Sequence, residues 1–169
     1  MIQLQFRKAI TADIPEIWKI LQSAISRRKE EGSNQWQDGY PNQEQIEKDI
    51  SSSAGYVLES ENKVAAYVAV FINDEPEYQN IKGKWLTEDD FVVFHRVAVS
   101  EEFLGKGLAQ RLFQEIETFA GNHKIKSIKA DTNFDNLPML YLFKKNGYQY
   151  CGEVFFRGSP RQAFEKILV

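Results

Sequence analysis

The sequence predicts an α/β fold of the sandwich type (α/β or α+β), with about four helices flanking a mixed sheet of about six or seven strands. Two patterns carry this prediction. Short segments that are rich in β-branched and aromatic residues, or that alternate apolar and polar residues, are typical of strands. Longer segments with apolar residues three or four positions apart are typical of amphipathic helices. These segments follow each other in the order β-α-α-β-β-β-α-β-α-β-β.

The composition limits the classes of protein to which the chain can belong. Its 169 residues are 43% hydrophobic and 27% charged, which suits one folded domain over residues 1–169. With a net charge of −3, the chain lacks the overall positive charge that is typical of a nucleic-acid-binding protein. The longest apolar run, Val64 to Ile72, is shorter than a membrane-spanning helix of about 20 residues. Because no signal sequence is visible and Cys151 is the single cysteine, we expect a cytoplasmic protein without an internal disulfide or a metal site. We also expect neither nucleic acid nor a membrane as a partner.

The first half of the chain is predicted to contain three strands and two helices. Residues 2–7 alternate apolar and polar side chains, as a half-buried strand does. Asp13 and Glu16 are spaced as a capping box, so a helix with one apolar stripe is predicted to begin there. After a loop over 31–42, the remaining elements are a helix over Gln43–Ser51 and strands over Gly55–Ser60 and Lys63–Ile72.

The second half is predicted to contain four strands and two helices. Its most β-prone segment, Phe91–Val99, is predicted to be a central strand. The polar stretch 73–90 before it, which includes Glu75, is interpreted as a solvated acidic loop, with attraction of a cationic amine as the alternative. The later elements are a helix over 107–120, a strand over 125–130, a helix over Leu137–Lys145 and strands over 148–156 and 162–169.

The sharpest local motif is the run Leu104-Gly105-Lys106-Gly107-Leu108-Ala109, which lies between the central strand and a helix. Glycines let a backbone turn tightly and approach a ligand closely. The first amides of a helix lack internal partners and attract phosphate. The spacing matches neither a P-loop nor a dinucleotide fingerprint, and a plain glycine turn into a helix is the alternative interpretation.

Two runs of sequence together resemble the GNAT superfamily of acetyl-CoA-dependent N-acetyltransferases. They are HRVAVSEEFLGKGLAQRLF, with the glycine motif, and DTNFDNLPMLYLFKKNGY, with Asn136, Phe143, Gly147 and Tyr148 at the positions of the second family motif. The resemblance implies a mostly antiparallel sheet with one splayed parallel pair, formed by Phe91–Val99 and 125–130. It also implies acetyl-CoA as co-substrate and direct attack by a primary amine.

The resemblance further implies which residues bind the cofactor. Pantetheine would pair with the backbone around Val97 and Val99, an N–H near Val97 would polarise the thioester carbonyl, and the pyrophosphate would lie on the amides of the glycine turn. The implied cofactor-binding residues are Val97, Ala98, Val99, Leu104, Gly105, Lys106, Gly107, Leu108, Ala109, Asn136 and Phe143. Two of them depart from the family pattern, because Leu104 replaces Arg or Gln and Phe143 replaces the Tyr that protonates the departing thiolate in many members.

Three residues are candidates for proton transfer. His95 lies where several family members carry Glu or His, and period-two spacing predicts that it shares a strand face with Val97 and Val99. The interpretation that we favour from the sequence is a structural histidine, hydrogen-bonded in the sheet. Asp131 is a base, a substrate anchor or, as we favour, the cap of the following turn. Tyr141 is a candidate acid, although two positions along a helix turn it away from the face of Phe143.

The acceptor side is predicted from the loop over 31–42. Trp36 and Tyr40 are candidate substrate-binding residues, with packing of the loop onto the sheet as the alternative for Trp36. The expected partner is a small-molecule amine or the amino group of a peptide or protein, and the resemblance makes a homodimer possible. The predicted function is an N-acetyltransferase; the alternative is a non-catalytic acyl-CoA-binding module on the same fold.

Overall fold

A computed structural model describes residues 2–169 as helices on an eight-stranded sheet. Its strands are β1 (Gln5–Lys8), β2 (Gly55–Ser60), β3 (Lys63–Ile72), β4 (Lys82–Gly83), β5 (Phe91–Val99), β6 (Ser127–Thr132), β7 (Gln149–Phe156) and β8 (Ser159–Ile167). Its helices are α1 (Ile14–Glu30), α2 (Gln43–Ser51), α3 (Leu108–Asn122) and α4 (Leu137–Lys145). Short 3₁₀ helices lie at Thr11–Asp13, Pro76–Asn80 and Glu101–Phe103. None of the helices within the described residues is both long and apolar enough to cross a membrane.

The sheet confirms the predicted fold class. Its strand order is β1-β2-β3-β5-β6-β8-β7-β4, and β5 pairs with β6 in parallel while β1–β2, β2–β3, β6–β8, β7–β8 and β4–β7 pair antiparallel. The parallel pairing joins Phe91–Val93 to Ser127–Lys129 and goes no further, although both strands continue. This is the pairing expected of two strands that splay apart. The additional strand is β4, whose two residues are too few to show a sequence period.

The described chain divides into two compact units, each with its own core. The first comprises residues up to Val70 together with Arg96–Glu115, and the second comprises Phe71–His95 together with Ile116–Val169. The prediction of a single domain over 1–169 stays a prediction.

In the first unit, the apolar stripe of α1 forms the centre of the core. Buried side chains from α1, α2 and the neighbouring strands pack together, among them Ile17, Leu21, Ile46, Val57 and Tyr67. The predicted stripe is therefore confirmed.

The predicted capping box at the start of α1 is wrong. The Asp13 carboxylate accepts hydrogen bonds from Arg7 at 2.8 and 3.0 Å and from the Ile10 amide at 2.8 Å, and makes no cap bond to α1. The Glu16 carboxylate accepts from the Val64 amide at 2.9 Å instead. Asp13 thus binds groups that precede the helix, and Glu16 binds a group that is distant in the sequence. The local spacing of the two acids reveals neither partner.

In the second unit, the core is aromatic. Tyr78 and Val93 form a buried cluster with Val154 and Ala163, against which further aromatic side chains pack. Tyr78 lies in the stretch that the sequence predicts to be a solvated loop, and it belongs to the 3₁₀ helix Pro76–Asn80. That interpretation is therefore wrong for this part of the stretch.

Candidate active site

The glycine turn lies immediately before α3. Gly105 has φ +74° and Gly107 has φ +79°, in the left-handed region that favours glycine. A Cβ built on either residue would have no other atom within 4 Å, so the space above both glycines is open. The first hydrogen bond that leads into the 15-residue helix runs from the Arg111 amide to the Gly107 carbonyl. The amides of Leu108 and Ala109 precede this bond, and amides at the start of a helix, which have no partner within the helix, can bind an anion.

A backbone irregularity interrupts β5 at Arg96, whose φ is +61°. Such a conformation costs a non-glycine residue about 1–3 kcal/mol and persists only where its surroundings enforce it. The side chains of Arg96 and Ala98 are buried whereas those of His95, Val97 and Val99 are partly exposed, so the alternation of a strand continues past Arg96. That His95 shares a face with Val97 and Val99 stays a prediction.

The side chain of Arg96 is held by a buried polar network within the first unit. Its Nε and Nη2 atoms donate to the two oxygens of Asp49 at 2.9 and 2.6 Å, and its Nη1 donates to the hydroxyl of Tyr40. The hydroxyl of Tyr67 donates to the same carboxylate at 2.6 Å. Burial raises the pKa of Tyr67, so this hydroxyl keeps its proton. The network fixes the residue that directly precedes Val97.

His95 lies in a cluster of acids in the second unit. Its Nε2 is 2.8 Å from Oε2 of Glu75, and its Nδ1 is 3.8 Å from Oδ1 of Asp131. The rings of Phe71, Tyr78 and Phe156 surround the imidazole with centroids 6.1–6.3 Å away. The imidazole is thus partly buried between two carboxylates, and it lies within hydrogen-bond distance of one of them.

Asp131 is part of this cluster and does not cap the following turn. The Tyr78 hydroxyl donates to its Oδ1 at 2.5 Å, and Nη2 of Arg161 lies 3.3 Å from its Oδ2. Burial, followed by the charge of Asp131, raises the pKa of Tyr78 well above its usual range, so the phenol remains a donor. The favoured interpretation of Asp131 as a cap is therefore corrected, because both oxygens face partners from other parts of the unit.

The second motif occupies α4 and the residue before it. The Asn136 side chain is buried, and its Oδ1 accepts from the Met139 amide at 3.3 Å as the N-cap of α4. Phe143 is 0% exposed and packs against Phe164 and Tyr148 with centroids 4.7 and 5.3 Å away. Its ring offers no surface to a ligand, which corrects the prediction that this side chain contacts the cofactor. Tyr141 is 65% exposed, as its position on the helix predicts.

Comparison with known proteins identifies the family. The model of the Acetyltransferase (GNAT) family matches residues 17–148. The chain belongs to the GNAT family and is an acyltransferase.

Individual relatives agree with this assignment. A GNAT-family acetyltransferase from Streptococcus agalactiae 2603 has a crystal structure that matches with a TM-score of 0.89 and 36% identity, over 98% of this chain and 96% of that one. A crystal structure of a putative acetyltransferase from Staphylococcus aureus Mu50 matches with a TM-score of 0.75 and 27% identity, over 98% and 99%. The uncharacterized N-acetyltransferase YesJ of Bacillus subtilis (strain 168) is 25% identical over 146 residues, 85% of this chain and 81% of YesJ.

The two aromatic residues predicted for the acceptor side of this GNAT protein have different environments. Trp36 is buried in the core of the first unit with φ +64°, so the alternative interpretation, packing of the loop, describes it. Tyr40 is partly buried and accepts a hydrogen bond from Arg96. Neither side chain is an exposed aromatic of the loop.

Sequence reasoning missed the partners of the candidate residues. It singled out His95 and Asp131, which the structure places together, and it named Glu75 only as part of an acidic stretch. It did not identify Tyr78 or Arg161 as partners of Asp131. The signal available was Tyr78, an aromatic residue within a very polar stretch, but the spacing alone does not connect it with strands β5 and β6.

Proposed function

We propose that this GNAT protein transfers the acetyl group of acetyl-CoA to a primary amine by direct attack in a ternary complex. The observation that carries the proposal is the glycine turn, whose two positive φ angles and open space above the glycines fit a pyrophosphate against the start of α3. A side chain at either glycine would fill that space. Acetyl-CoA, when bound, supplies an acetyl group activated as a thioester.

The backbone of the chain is proposed to do most of the cofactor binding. The amides of Gly105 to Ala109 would hold the pyrophosphate, so the absence of Arg or Gln at position 104 removes only a side-chain contact. Leu104 is exposed beside the turn and can contribute an apolar contact at most. The N–H of Val97 is proposed to donate to the thioester carbonyl, where electrostatic stabilisation of developing charge lowers the barrier.

His95 is proposed as the base that removes the proton from the attacking amine. Its 2.8 Å contact with Glu75 fixes the imidazole, and the nearby Asp131 stabilises the imidazolium that forms. Asp131 is a weaker candidate base, because Tyr78 and Arg161 already engage both of its oxygens. Since Phe143 carries no exchangeable proton, we propose that the departing thiolate takes its proton from water, with the exposed Tyr141 as the alternative donor.

One observation favours a second candidate function, a non-catalytic acyl-CoA-binding module. The position at which many family members carry the acidic tyrosine is occupied by Phe143, which is buried in the core. Loss of this acid does not prevent transfer, because coenzyme A thiolate is a tolerable leaving group, so we rank this function second.

Release of free thiol from acetyl-CoA, measured across a panel of primary amines, tests the proposal. Amine-dependent thiol release with stoichiometric N-acetyl product is the expected result. Saturable binding of coenzyme A without release for any amine would favour the binding module. No binding and no release would contradict both functions.

A further inference from the structure

A pocket of about 400 Å³ lies in the second unit, apart from the glycine turn, which belongs to the first unit. Its lining combines the rings of Tyr78, Trp85 and Phe91 with the charged side chains of Glu75 and Lys129. The exposed Lys84 and Glu88 also line it, and their opposite charges balance. The lining is therefore mixed, and aromatic walls combined with placed charged groups are typical of a small-molecule site.

Lys129 is the unusual member of this lining. The residue is only 4% exposed, and its Nζ lies 4.2 Å from the ring centroid of Phe91 and 4.6 Å from that of Trp85. Among residues 2–169, no carboxylate lies within 4.0 Å of its ammonium group. Burial lowers the pKa of this lysine. A buried ammonium that lacks a contacting anion is costly, and an anionic ligand would remove that cost.

The nearest buried acid does not supply this contact. Glu165 lies opposite Lys129 in the register of β6 and β8. Its carboxylate accepts hydrogen bonds from the Leu86 amide at 2.7 Å and from the hydroxyls of Thr87 and Ser127 at 3.0 and 2.6 Å. Neutral donors therefore occupy both oxygens of Glu165, and the ammonium of Lys129 makes cation–π contacts within the pocket instead.

The opposite charge lies elsewhere in the same lining. Glu75 contributes to the pocket, and its Oε2 contacts Nε2 of His95 at 2.8 Å while its Oε1 accepts from the Glu77 amide at 3.3 Å. Each carboxylate oxygen can accept a second hydrogen bond, so an ammonium group can still bind here. An ammonium group beside Glu75 would thus be one hydrogen bond away from the proposed base. The aromatic rings of Tyr78 and Trp85, which pack with centroids 4.9 Å apart, provide apolar wall for the rest of such a molecule.

We propose that this pocket binds the acceptor and that Lys129 binds a carboxylate of the acceptor, so the acetylated amine belongs to a small amino acid-like molecule with an apolar side chain. This inference rests on the proposed function, because it takes His95 as the base. Lys129 determines the specificity, and Glu75 receives the amino end. The carboxylate replaces the missing anion beside Lys129, and the apolar part lies against the rings.

Calorimetric titration of two matched pairs of probes tests the inference: leucine against isopentylamine, and phenylalanine against 2-phenylethylamine. The members of each pair differ by one carboxylate. A charged hydrogen bond contributes about 1.5–3 kcal/mol, so we expect the amino acid of at least one pair to bind about tenfold to hundredfold more tightly than its amine. Equal affinities within both pairs, or no saturable binding of either amino acid, would overturn the inference.

Substitutions then assign the preference to one side chain. Lys129→Met keeps the length and removes the charge, and we expect it to abolish the preference without lowering the thermal midpoint, because an unpaired buried charge is replaced by an apolar group. Lys129→Gln is the second variant, with the same expected loss of preference. Lys82→Met is the matched control, since Lys82 is exposed, contacts Phe155 and does not line the pocket. A preserved preference in both Lys129 variants would refute the assignment.

These experiments, together with the acetyl-transfer assay, distinguish a failure of this inference from a failure of the proposed function. Acetylation of amines from acetyl-CoA without any preference for a carboxylate would overturn this inference and leave the proposed function intact. Binding of the amino acids that depends on Lys129, without acetyl transfer from acetyl-CoA, would support this inference about the pocket and contradict the proposed acetyl-transfer reaction.

Discussion

Asp49→Ala is expected to destabilise the protein strongly, because it removes the centre of the network around Arg96. The side chains of Asp49 and Arg96 are 1% and 5% exposed, and their nitrogen–oxygen contacts of 2.6 and 2.9 Å are bidentate. The same carboxylate accepts from Tyr67 at 2.6 Å and from Gln45 at 3.1 Å. Alanine leaves the guanidinium buried without its anion and leaves the Tyr67 hydroxyl without its acceptor.

The size of the effect follows from these contacts. Removing one partner of a buried ion pair costs about 3–5 kcal/mol, because the remaining charge stays buried and unpaired. The network also holds Arg96 at φ +61°, so its loss releases a conformation that is unfavourable by about 1–3 kcal/mol and allows β5 to relax. The Tyr67 hydroxyl, left buried without its acceptor, adds about 1–3 kcal/mol, which this relaxation offsets. We therefore expect a net loss of about 3–5 kcal/mol in the free energy of unfolding.

Urea denaturation of the parent and variants at neutral pH measures this loss. The matched control is Glu102→Ala, which removes the acid of the exposed pair Lys63–Glu102 at 3.4 Å and should cost about 1 kcal/mol or less. Combining Asp49→Ala with Arg96→Gly removes the stranded charge and supplies a residue that tolerates the positive φ, so the double variant should be more stable than Asp49→Ala alone. A cost of Asp49→Ala no larger than that of the control would refute the reasoning.

Three further predictions concern single side chains. Phe143→Ala should cost about 3–5 kcal/mol of unfolding free energy by urea denaturation, whereas Tyr141→Ala, on the exposed face of α4, should stay within about 0.5 kcal/mol; equal costs would contradict the packing described here. The hydrogen bonds from Arg7 lower the pKa of Asp13 below its ordinary 3.8, so its stabilisation is present above that pH and is lost as the pH falls through the lowered pKa. Asp13→Asn should therefore be less stable than the parent at neutral pH by about 1.5–3 kcal/mol, with the gap closing in strong acid; a gap independent of pH would exclude this origin. His95→Gln should lower kcat/KM about 10²- to 10⁴-fold and remove the acid limb of its pH profile; an unchanged profile would transfer the role of base to Asp131 or to water.

Local chemistry explains why much of the fold is predictable from the sequence. The start of α2 at Gln43 follows from Asn42, whose Oδ1 accepts from the Gln45 amide at 2.9 Å, and such a cap can be predicted from adjacent residues. Strands β2 and β3 have an equally local signal in their apolar runs and the turn between them. The capping box at Asp13 failed because Arg7 competes for the carboxylate, and no local pattern shows that competition.

The same distinction applies to the candidate site. The glycine turn is visible in the sequence because its requirement, positive φ at Gly105 and Gly107, is met by the residues themselves. The partners of His95 and Arg96 are not visible, since Glu75 precedes His95 by 20 positions and Asp49 precedes Arg96 by 47. Only the folded chain brings these charges together.

Binding of acetyl-CoA to the glycine turn is tested most directly by calorimetric titration of the parent, Gly107→Glu and Gly32→Glu. Gly107 and Gly32 have φ +79° and +80° with open space around both, so glutamate carries the same backbone strain at either position, about 1–2 kcal/mol. We predict that the parent and Gly32→Glu bind acetyl-CoA alike. Gly107→Glu should bind about tenfold or more weakly, because its carboxylate occupies and repels the pyrophosphate position. Equal affinities of the two variants, or no binding by the parent, would contradict the assignment of this turn to the cofactor.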